Sequence, residues 1–200
     1  MWYDKDHVRI YSSKDGYNLL SSDYQRFHGM LDKRDRQLWQ RCLPRSLEWL
    51  DIVDIGAGDG RMCSWFADKC VWSYTAIDVA EDLLARCPSW VQKVVADAEE
   101  WLPCESWSVD IIVMLFVLLH IADIEALFGE IIRVLRPWGR CIVLHHLERR
   151  PYVHEVDGER FKIETWNHRF EELEQIAKTY DIWYEFFDVD EFTRLYCFEL

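Results

Sequence analysis

The segment LDIVDIGAGDGR, residues Leu50–Arg61, gives the first indication of the fold. Its first half is an apolar run rich in β-branched residues, which is typical of a buried parallel strand. Three glycines follow at alternate positions, and glycine lets the backbone turn sharply and lets a ligand approach the main chain closely. The spacing of apolar residues then predicts a helix from Arg61 to Lys69. Strand, loop and helix N-terminus would direct backbone N–H groups at one point, which suits an anion or a carboxylate.

The spacing of the glycines distinguishes between nucleotide cofactors. In the dinucleotide fingerprint G-x-G-x-x-G the third glycine comes one residue later than Gly60, at the position that Arg61 occupies here. The observed pattern is D-x-G-x-G-x-G, in which Asp54 lies two residues before Gly56. A glycine loop alone is weak support for any cofactor, so the remaining sequence has to decide.

Length and charge restrict the class of protein. We predict a single domain over residues 1–200, with a helical cap over 1–47 and an α/β core over 48–200. The 23 basic and 36 acidic side chains give a net charge of 23 − 36 = −13, which argues against broad binding of a phosphate backbone. Two basic segments, Arg26–Arg45 and Arg133–Arg150, are best interpreted as solvated helix faces, but they keep a nucleic-acid substrate open as an alternative.

Cysteine usage and hydropathy indicate the compartment. The seven cysteines include no C-x-x-C pair, and an odd number does not suit a disulfide framework, so we predict reduced thiols. The first residues lack the basic, apolar and small-residue pattern of a signal peptide, so we expect none. The longest apolar run, Ile111–Ala122, is interrupted by His120 and is too short to span a bilayer. We therefore expect a cytoplasmic protein with no membrane partner, and nothing in the sequence indicates its oligomeric state.

Strands and helices alternate after the glycine loop. Apolar residues spaced three and four apart predict a helix over Ile124–Leu135 with Asp123 as its N-cap. An earlier helix is predicted from Ser22 toward Leu43, whereas Glu148–Asn167 is predicted to be irregular. The pattern predicts an α/β, Rossmann-like, doubly wound and mostly parallel sheet of seven strands with a C-terminal antiparallel hairpin. The other predicted elements are helices Ala80–Arg86 and Arg169–Tyr180 and strands Leu50–Ile55, Ser73–Asp78, Val91–Ala96, Asp110–Phe116, Arg140–Leu147, Ile182–Asp188 and Thr193–Glu199.

Polar residues at the ends of these strands are the candidate binding residues, because ligands of open α/β sheets lie beyond the carboxyl ends of the strands. Asp78 lies 78 − 54 = 24 residues after Asp54 and suits a ribose, since a carboxylate accepts hydrogen bonds from both hydroxyls. The alternative role, an N-cap for the following helix, is compatible with the first. Asp97 and Ala98 suit an adenine, through the carboxylate and the backbone N–H, and the alternative is an ordinary turn.

The order of these segments from Ile52 to Leu144 resembles the class I S-adenosylmethionine-dependent methyltransferases. The resemblance rests on D-x-G-x-G-x-G at Asp54, on Leu119-His120-Ile121-Ala122-Asp123, and on Arg133-Val134-Leu135-Arg136-Pro137. It implies S-adenosylmethionine as cofactor and S-adenosylhomocysteine as product. It also implies the cofactor-binding residues: Asp54, Gly56 and Gly58 for the methionine part, Asp78 for the ribose, Asp97 and Ala98 for the adenine, the backbone of Phe116, and the adjoining Ala57 and Val79. Trp138 departs from the family pattern, which has a glycine after the proline.

Methyl transfer from a sulfonium is an in-line displacement, so the protein mainly aligns the acceptor and excludes water. A base is needed only when the acceptor loses a proton, and histidine is the usual residue near neutral pH. His145 and His146 end the fifth predicted strand, so one of them should face the pocket, either as a base or as a structural histidine. His120 is interpreted as part of the packing, and His28, His154 and His168 are weaker candidates. We predict no metal site, because no ligand run is recognisable.

Three functions fit the sequence. A methyltransferase for a small-molecule O, N or C acceptor is favoured, with a tRNA, rRNA or protein methyltransferase as the alternative and a non-catalytic S-adenosylmethionine-binding protein as the third. Residues 1–47 and 148–167 have no counterpart in the cofactor motifs, and we predict that they form one lid whose aromatic side chains meet across a pocket. The alternative is that the N-terminal helices pack on a sheet face and leave the cleft open.

Overall fold

The computed structural model describes residues 2–3, 8–25, 39–147 and 152–200, with the backbone alone for residues 2–3. Two β-sheets and several helices make up this part of the chain. In chain order the elements are β1 (Trp2–Tyr3), β2 (Arg9–Tyr11), α1 (Ser13–Leu20), β3 (Asp51–Ile55), α2 (Cys63–Phe66), β4 (Ser73–Asp78), α3 (Glu81–Leu84), β5 (Gln92–Val95), β6 (Val109–Leu115), a 3₁₀ turn (Leu118–His120), α4 (Ile124–Val134), β7 (Leu135–His146), β8 (His154–Val156), β9 (Glu159–Ile163), α5 (Phe170–Thr179), β10 (Trp183–Asp188) and β11 (Thr193–Glu199).

The main sheet has seven strands in the order β10-β11-β7-β6-β3-β4-β5. β11 runs antiparallel to both of its neighbours, and the remaining strands are mutually parallel. The strand order reverses between β3 and β6, which is the position where a doubly wound sheet opens a crevice for a ligand. The predicted Rossmann-like sheet and its closing hairpin are therefore confirmed.

Apolar periodicity explains how the central elements pack. β6 is buried along almost its whole length, as expected of a parallel strand covered on both faces. The helix α4 buries Ile124, Leu127, Phe128, Ile131 and Val134, which lie on one side at helical spacing. At its start the Asp123 carboxylate accepts a hydrogen bond from the Ala126 N–H at 2.9 Å, which confirms the predicted N-cap.

A second sheet of four strands, in the order β1-β2-β9-β8, was not predicted. β2 pairs in parallel with β9, and β9 pairs with β8 as an antiparallel hairpin. α1 packs on this sheet so closely that a Cβ atom on Gly16 would lie 2.6 Å from Ile163 Cγ1. The N-terminal cap is thus partly β-structure, and residues 152–167 are more regular than expected. We call β1, β2, β8, β9 and α1 together the lid.

Several predicted boundaries are corrected. The helices over 61–69 and 80–86 are single turns, α2 and α3, flanked by hydrogen-bonded turns. β7 starts at Leu135 and not at Arg140, because α4 ends in extended backbone and a bulge around Trp138 continues the pairing with β6. Most of the helix predicted from Ser22 to Leu43 falls on residues 26–38, outside the described residues, although 39–42 are helical. No helix within the described ranges is long and apolar enough to cross a membrane.

Candidate active site

A cavity of about 1130 Å³ lies between the carboxyl ends of the main-sheet strands and the lid. Its floor comes from the turns after β3, β4, β5, β6 and β7, and its roof from α1 and from the residues around β8 and β9. The strand ends contribute Gly56, Asp78, Val79, Asp97, Ala98, Phe116, His120 and His146, and the lid side contributes Tyr17, Tyr24, Tyr152, His154, Glu164 and Trp166. Residues from both segments of the predicted lid therefore meet over one cavity.

The glycine loop is held in a conformation that glycine favours. Gly56 and Gly58 have φ values of 66° and 56°, in the left-handed region. A Cβ atom on Gly56 would overlap Val117 Cγ2, and one on Gly58 would lie 2.8 Å from the hydroxyl of Tyr24. The Gly56 N–H donates to the Ile77 carbonyl at 2.8 Å, which fixes the loop against β4. The bare backbone at Gly56 is thus part of the cavity wall.

Asp78 links the glycine loop to the following turn. One carboxylate oxygen accepts from the Gly58 N–H at 2.8 Å, and the other accepts from the Ala80 N–H at 2.8 Å. Burial raises the pKa of this carboxyl, and the backbone N–H groups oppose that rise. Each oxygen has a second lone pair, so Asp78 can cap the turn and still accept a hydrogen bond from a ligand in the cavity.

Asp54 lies deeper than the cavity wall. It is 2% exposed, and the Tyr74 hydroxyl donates to it at 2.6 Å. Burial raises the pKa of Asp54 to about 7, although the hydrogen bond from Tyr74 lowers it. Asp54, Ala57 and Gly58 are not among the described residues that line the cavity, whereas Gly56 is. Asp54 therefore lies behind the cavity wall and is held by Tyr74 of β4.

The remaining candidates of the cofactor site follow the strand ends around the crevice. Val79, Asp97, Ala98 and Phe116 all line the cavity. Asp97 also accepts a hydrogen bond from the Glu99 N–H at 2.9 Å, as expected of a turn residue. Asp97 therefore both stabilises the turn and lines the cavity. Phe116 has a positive φ of 58°, and its N–H donates to the Leu144 carbonyl at 2.8 Å, which turns the chain at the end of β6.

The two adjacent histidines at the end of β7 have different environments. His145 is fully buried, and its Nε2 donates to the His168 carbonyl at 2.7 Å. Burial also lowers the pKa of His145, so this residue is structural and does not line the cavity. His146 lines the cavity and shares a 2.8 Å hydrogen bond with the Thr193 hydroxyl. Of the two catalytic candidates, only His146 lines the cavity, so His146 is the one that could contact a ligand.

A contact between Tyr17 and His120 joins the lid to the core, and sequence reasoning did not find it. The Tyr17 hydroxyl lies 2.6 Å from His120 Nε2, and His120 Nδ1 lies 2.9 Å from the Glu164 carbonyl oxygen. A carbonyl only accepts, so Nδ1 carries the proton and Nε2 accepts from Tyr17. Burial lowers the pKa of His120 to about 4, which keeps the imidazole neutral near pH 7. The strand-end position of His120 and the expected place of Tyr17 among the aromatic residues of the cavity were the available signals, but no local pattern indicated that the two would pair.

Within the described residues, no three His, Cys, Asp or Glu side chains are grouped in a way that could hold a metal ion. The arrangement offers a glycine-lined floor, carboxylates at two strand ends, a cavity-facing histidine and an aromatic roof. Such a site has room for a nucleotide-sized ligand along the strand ends and for a second molecule beneath the lid.

Comparison with known proteins agrees with this geometry. Residues 53–143 match the family model of a methyltransferase domain. The demethylmenaquinone methyltransferase of Tropheryma whipplei (strain Twist) is 26% identical over 144 residues, which are 68% of this chain and 60% of that protein. The biotin biosynthesis bifunctional protein BioHC of Cellvibrio japonicus (strain Ueda107) is 32% identical over 105 residues, which are 50% of this chain and 20% of that protein. The chain thus spans less than two thirds of the length of these curated relatives.

Solved structures show the same fold. A structure described as a DhpI–SAM–HEP complex matches with a TM-score of 0.76 and 16% identity, over 92% of this chain and 94% of that chain. The coverage is almost complete in both directions, so the two chains share the overall fold.

Proposed function

We propose that this chain, of which residues 53–143 match the family model of a methyltransferase domain, is a class I S-adenosylmethionine-dependent methyltransferase that transfers a methyl group to a small molecule enclosed beneath the lid. The cavity that the strand ends and the lid line together is the observation that carries this proposal. Its volume of about 1130 Å³ exceeds the roughly 300–1,000 Å³ of a pocket for one drug-sized ligand. Cofactor and acceptor therefore fit side by side.

The residues at the strand ends fit the cofactor. We propose that Gly56, supported by Asp54, Ala57 and Gly58, faces the methionine part, that Asp78 and Val79 hold the ribose, and that Asp97, Ala98 and the Phe116 backbone surround the adenine. The place of Gly56 in the cavity wall and the second lone pairs of the Asp78 oxygens support this assignment. The cofactor, when bound, supplies an activated methyl group, so the protein needs no electrophile of its own.

The lid determines the class of acceptor in this proposal. Tyr17, Tyr152 and Trp166 give the roof an aromatic character, and His146 and Glu164 add polar groups. A planar, largely apolar acceptor with a hydroxyl or amine suits such a lining, because aromatic rings offer area and the polar groups fix orientation. The similarity to a demethylmenaquinone methyltransferase supports an acceptor of this kind.

Two histidines have separate roles in the proposed reaction. His120 has a pKa of about 4, so it is a weak base. Its role is structural, because its hydrogen bond with the Tyr17 hydroxyl joins the lid to the main-sheet side of the cavity and keeps the lid closed. His146 faces the cavity and is the candidate to accept a proton when the acceptor loses one. Tyr17 is thus a positioning residue.

The alternative substrates have less support. Arg133 pairs with Glu130, Arg136 with Asp51 and Asp110, and Arg140 with Glu199, so the second basic segment forms ion pairs along most of its described length. The first basic segment lies largely in residues 26–38, outside the described part. A nucleic-acid or protein acceptor also has to enter a cavity that the lid covers. We propose a cytoplasmic location, which the seven free cysteines support.

The test combines binding with turnover. We expect S-adenosylmethionine and S-adenosylhomocysteine to bind with dissociation constants of about 1 μM, equivalent to about −8 kcal/mol, in isothermal titration calorimetry. Methyl-labelled cofactor is then supplied with aromatic hydroxy compounds, with tRNA and with unfolded protein. We expect label in the small molecules, and a loss of turnover in His146→Asn with the cofactor affinity retained. Label in RNA or protein alone would refute the small-molecule class, and preferential binding of NAD would refute the cofactor.

A further inference from the structure

Six exposed tryptophans follow one edge of the main sheet, the edge opposite the cavity. Each lies just before, or near the start of, a strand in the parallel set. Between 46 and 82% of each side chain is exposed. Strands lie about 4.8 Å apart, so the six residues extend along roughly 30 Å of this edge. We call them the tryptophan row: Trp90 at β5, Trp72 at β4, Trp49 at β3, Trp107 at β6, Trp138 at β7 and Trp183 at β10.

The backbone of the row shows that turn formation does not explain these residues. Trp49, Trp107 and Trp138 have φ values of 66°, 56° and 69°, in the left-handed region where glycine is favoured and a bulky side chain is strained. Neither the turn nor the core uses their indole rings, which are 70% exposed or more. A bulky apolar side chain at such a position points to a role at the surface.

The row is electrically neutral, unlike the chain as a whole. The turns that carry it, residues 44–50, 69–72, 88–91, 105–108, 136–139 and 181–183, hold three basic and three acidic residues, a balance of 3 − 3 = 0. The whole chain carries −13. Contact through this edge therefore brings no net like charge of the two acidic copies face to face.

The area of the row matches what a dimer needs. With up to about 250 Å² for a fully exposed tryptophan, the exposed part of the six side chains is on the order of 900 Å². A stable interface of standard size buries about 800 Å² on each partner. Apolar patches on monomers are usually about 300–600 Å² or smaller, so an uncovered row of this size is unusual.

The face that carries the tryptophan row has both a protruding side chain, Trp138, and a groove beside it. Trp138, which is 82% exposed, forms one wall of a groove of about 320 Å³ that is also lined by Pro44, Leu50, Pro137 and Arg140 and by the carboxylates Asp110 and Glu199. In a two-fold symmetric contact each copy presents the same patch to the other. Trp138 of one copy can then enter the groove of the second copy, and the reverse contact forms at the same time.

We propose that the tryptophan row is the contact face of a symmetric homodimer of this chain. The two cavities then lie at the outer ends of the dimer, since the row and the cavity occupy opposite edges of the sheet. This inference is independent of the proposed function, because it uses no residue of the cavity.

The test uses the whole chain in sedimentation velocity over about a hundredfold range of concentration, since dimerisation follows mass action. We expect a dimer for the wild type and a monomer for the triple variant Trp49→Gly, Trp107→Gly, Trp138→Gly. Glycine favours the left-handed backbone at all three positions, so the variant keeps its fold, which circular dichroism verifies. The control Trp101→Ser removes an exposed tryptophan at the cavity edge, and we expect it to remain a dimer.

Three outcomes would overturn the proposal. A wild-type monomer across the whole range would show that the row does not mediate self-association. A triple variant that remains dimeric would place the contact on another face. A wild-type monomer that floats with vesicles of neutral phosphatidylcholine, while the triple variant does not, would assign the row to a lipid surface instead.

Discussion

Asp78 accepts hydrogen bonds from two backbone N–H groups, and we propose that it also binds the ribose of the cofactor. Removing its carboxylate therefore tests the second role. We expect Asp78→Ala to weaken S-adenosylhomocysteine binding by about 1.5–3 kcal/mol, the usual contribution of a hydrogen bond to a charged group. Calorimetry on the folded variant measures this loss. Asp78→Asn keeps one carbonyl oxygen and is expected to lose less. An unchanged dissociation constant in Asp78→Ala would show that Asp78 only supports the loop and caps the turn at Ala80.

Asp54 predicts a pH dependence of stability. Its pKa of about 7 in the folded chain lies above the ordinary value of 3.8, because burial favours the protonated form. This contribution to stability is therefore complete below pH 3.8 and is lost as the pH rises through 7. Relative to Asp54→Asn, we expect the free energy of unfolding of the wild type to fall by roughly 4 kcal/mol over this window. Urea unfolding at successive pH values measures the difference.

Tyr74→Phe is the matched control for that experiment. The variant removes the Tyr74 hydroxyl, whose hydrogen bond lowers the pKa of Asp54. Without that hydrogen bond the pKa of Asp54 should rise further, so we expect the loss of stability to extend to higher pH. A pH profile of Asp54→Asn that runs parallel to that of the wild type would contradict the assignment of a raised pKa to Asp54.

The histidines show where prediction from sequence stops at the scale of single residues. Strand alternation places His145 and His146 on opposite faces, so the sequence could predict that one of them faces the pocket. Which one it is depends on which face the lid covers, and that is a tertiary contact. The pairing of Tyr17 with His120 joins residues 103 positions apart, and no local spacing encodes it.

The glycine loop can be tested as an element by comparing two glycines. Gly56 and Gly158 both have positive φ, of 66° and 82°, but only Gly56 has a close neighbour, Val117. We expect Gly158→Ala to cost about 1–2 kcal/mol through backbone strain alone. Gly56→Ala adds overpacking against Val117, so its cost rises by a further 1–3 kcal/mol or so. Urea unfolding compares the two variants, and equal losses would show that Val117 yields without cost.

The elements differ in how far the sequence could predict them. Strongly periodic or almost wholly apolar segments, such as α4 and β6, were predicted to within about one residue because burial imposes their pattern. The lid strands β2, β8 and β9 were missed, since three to five residues are too few to show alternation. β2 also pairs with a strand that lies far away in the sequence, and its own residues give no sign of that partner.

At the scale of the whole molecule, the prediction of one domain over residues 1–200 can be examined by unfolding. The lid and the main sheet share the cavity, so we expect them to unfold in one cooperative transition. Saturation with S-adenosylhomocysteine at a hundred times its dissociation constant should raise the free energy of unfolding by about 2.7 kcal/mol. Differential scanning calorimetry with and without the nucleotide measures both. Two transitions, of which only one shifts with nucleotide, would mean that the lid is a separate unit.

The parallel pairing of β2 with β9 has a consequence for the time at which this molecule becomes complete during synthesis. Arg9 lies opposite Phe161, so 161 − 9 = 152 residues separate the two partners along the chain. A ribosome adds about 5 to 20 residues each second, so β2 waits roughly 10 to 30 s for its neighbour. β3 to β7 have all been synthesised by then. The nascent chain thus contains the strands whose ends form the cavity floor well before the pairing of β2 with β9 can complete the lid over that floor.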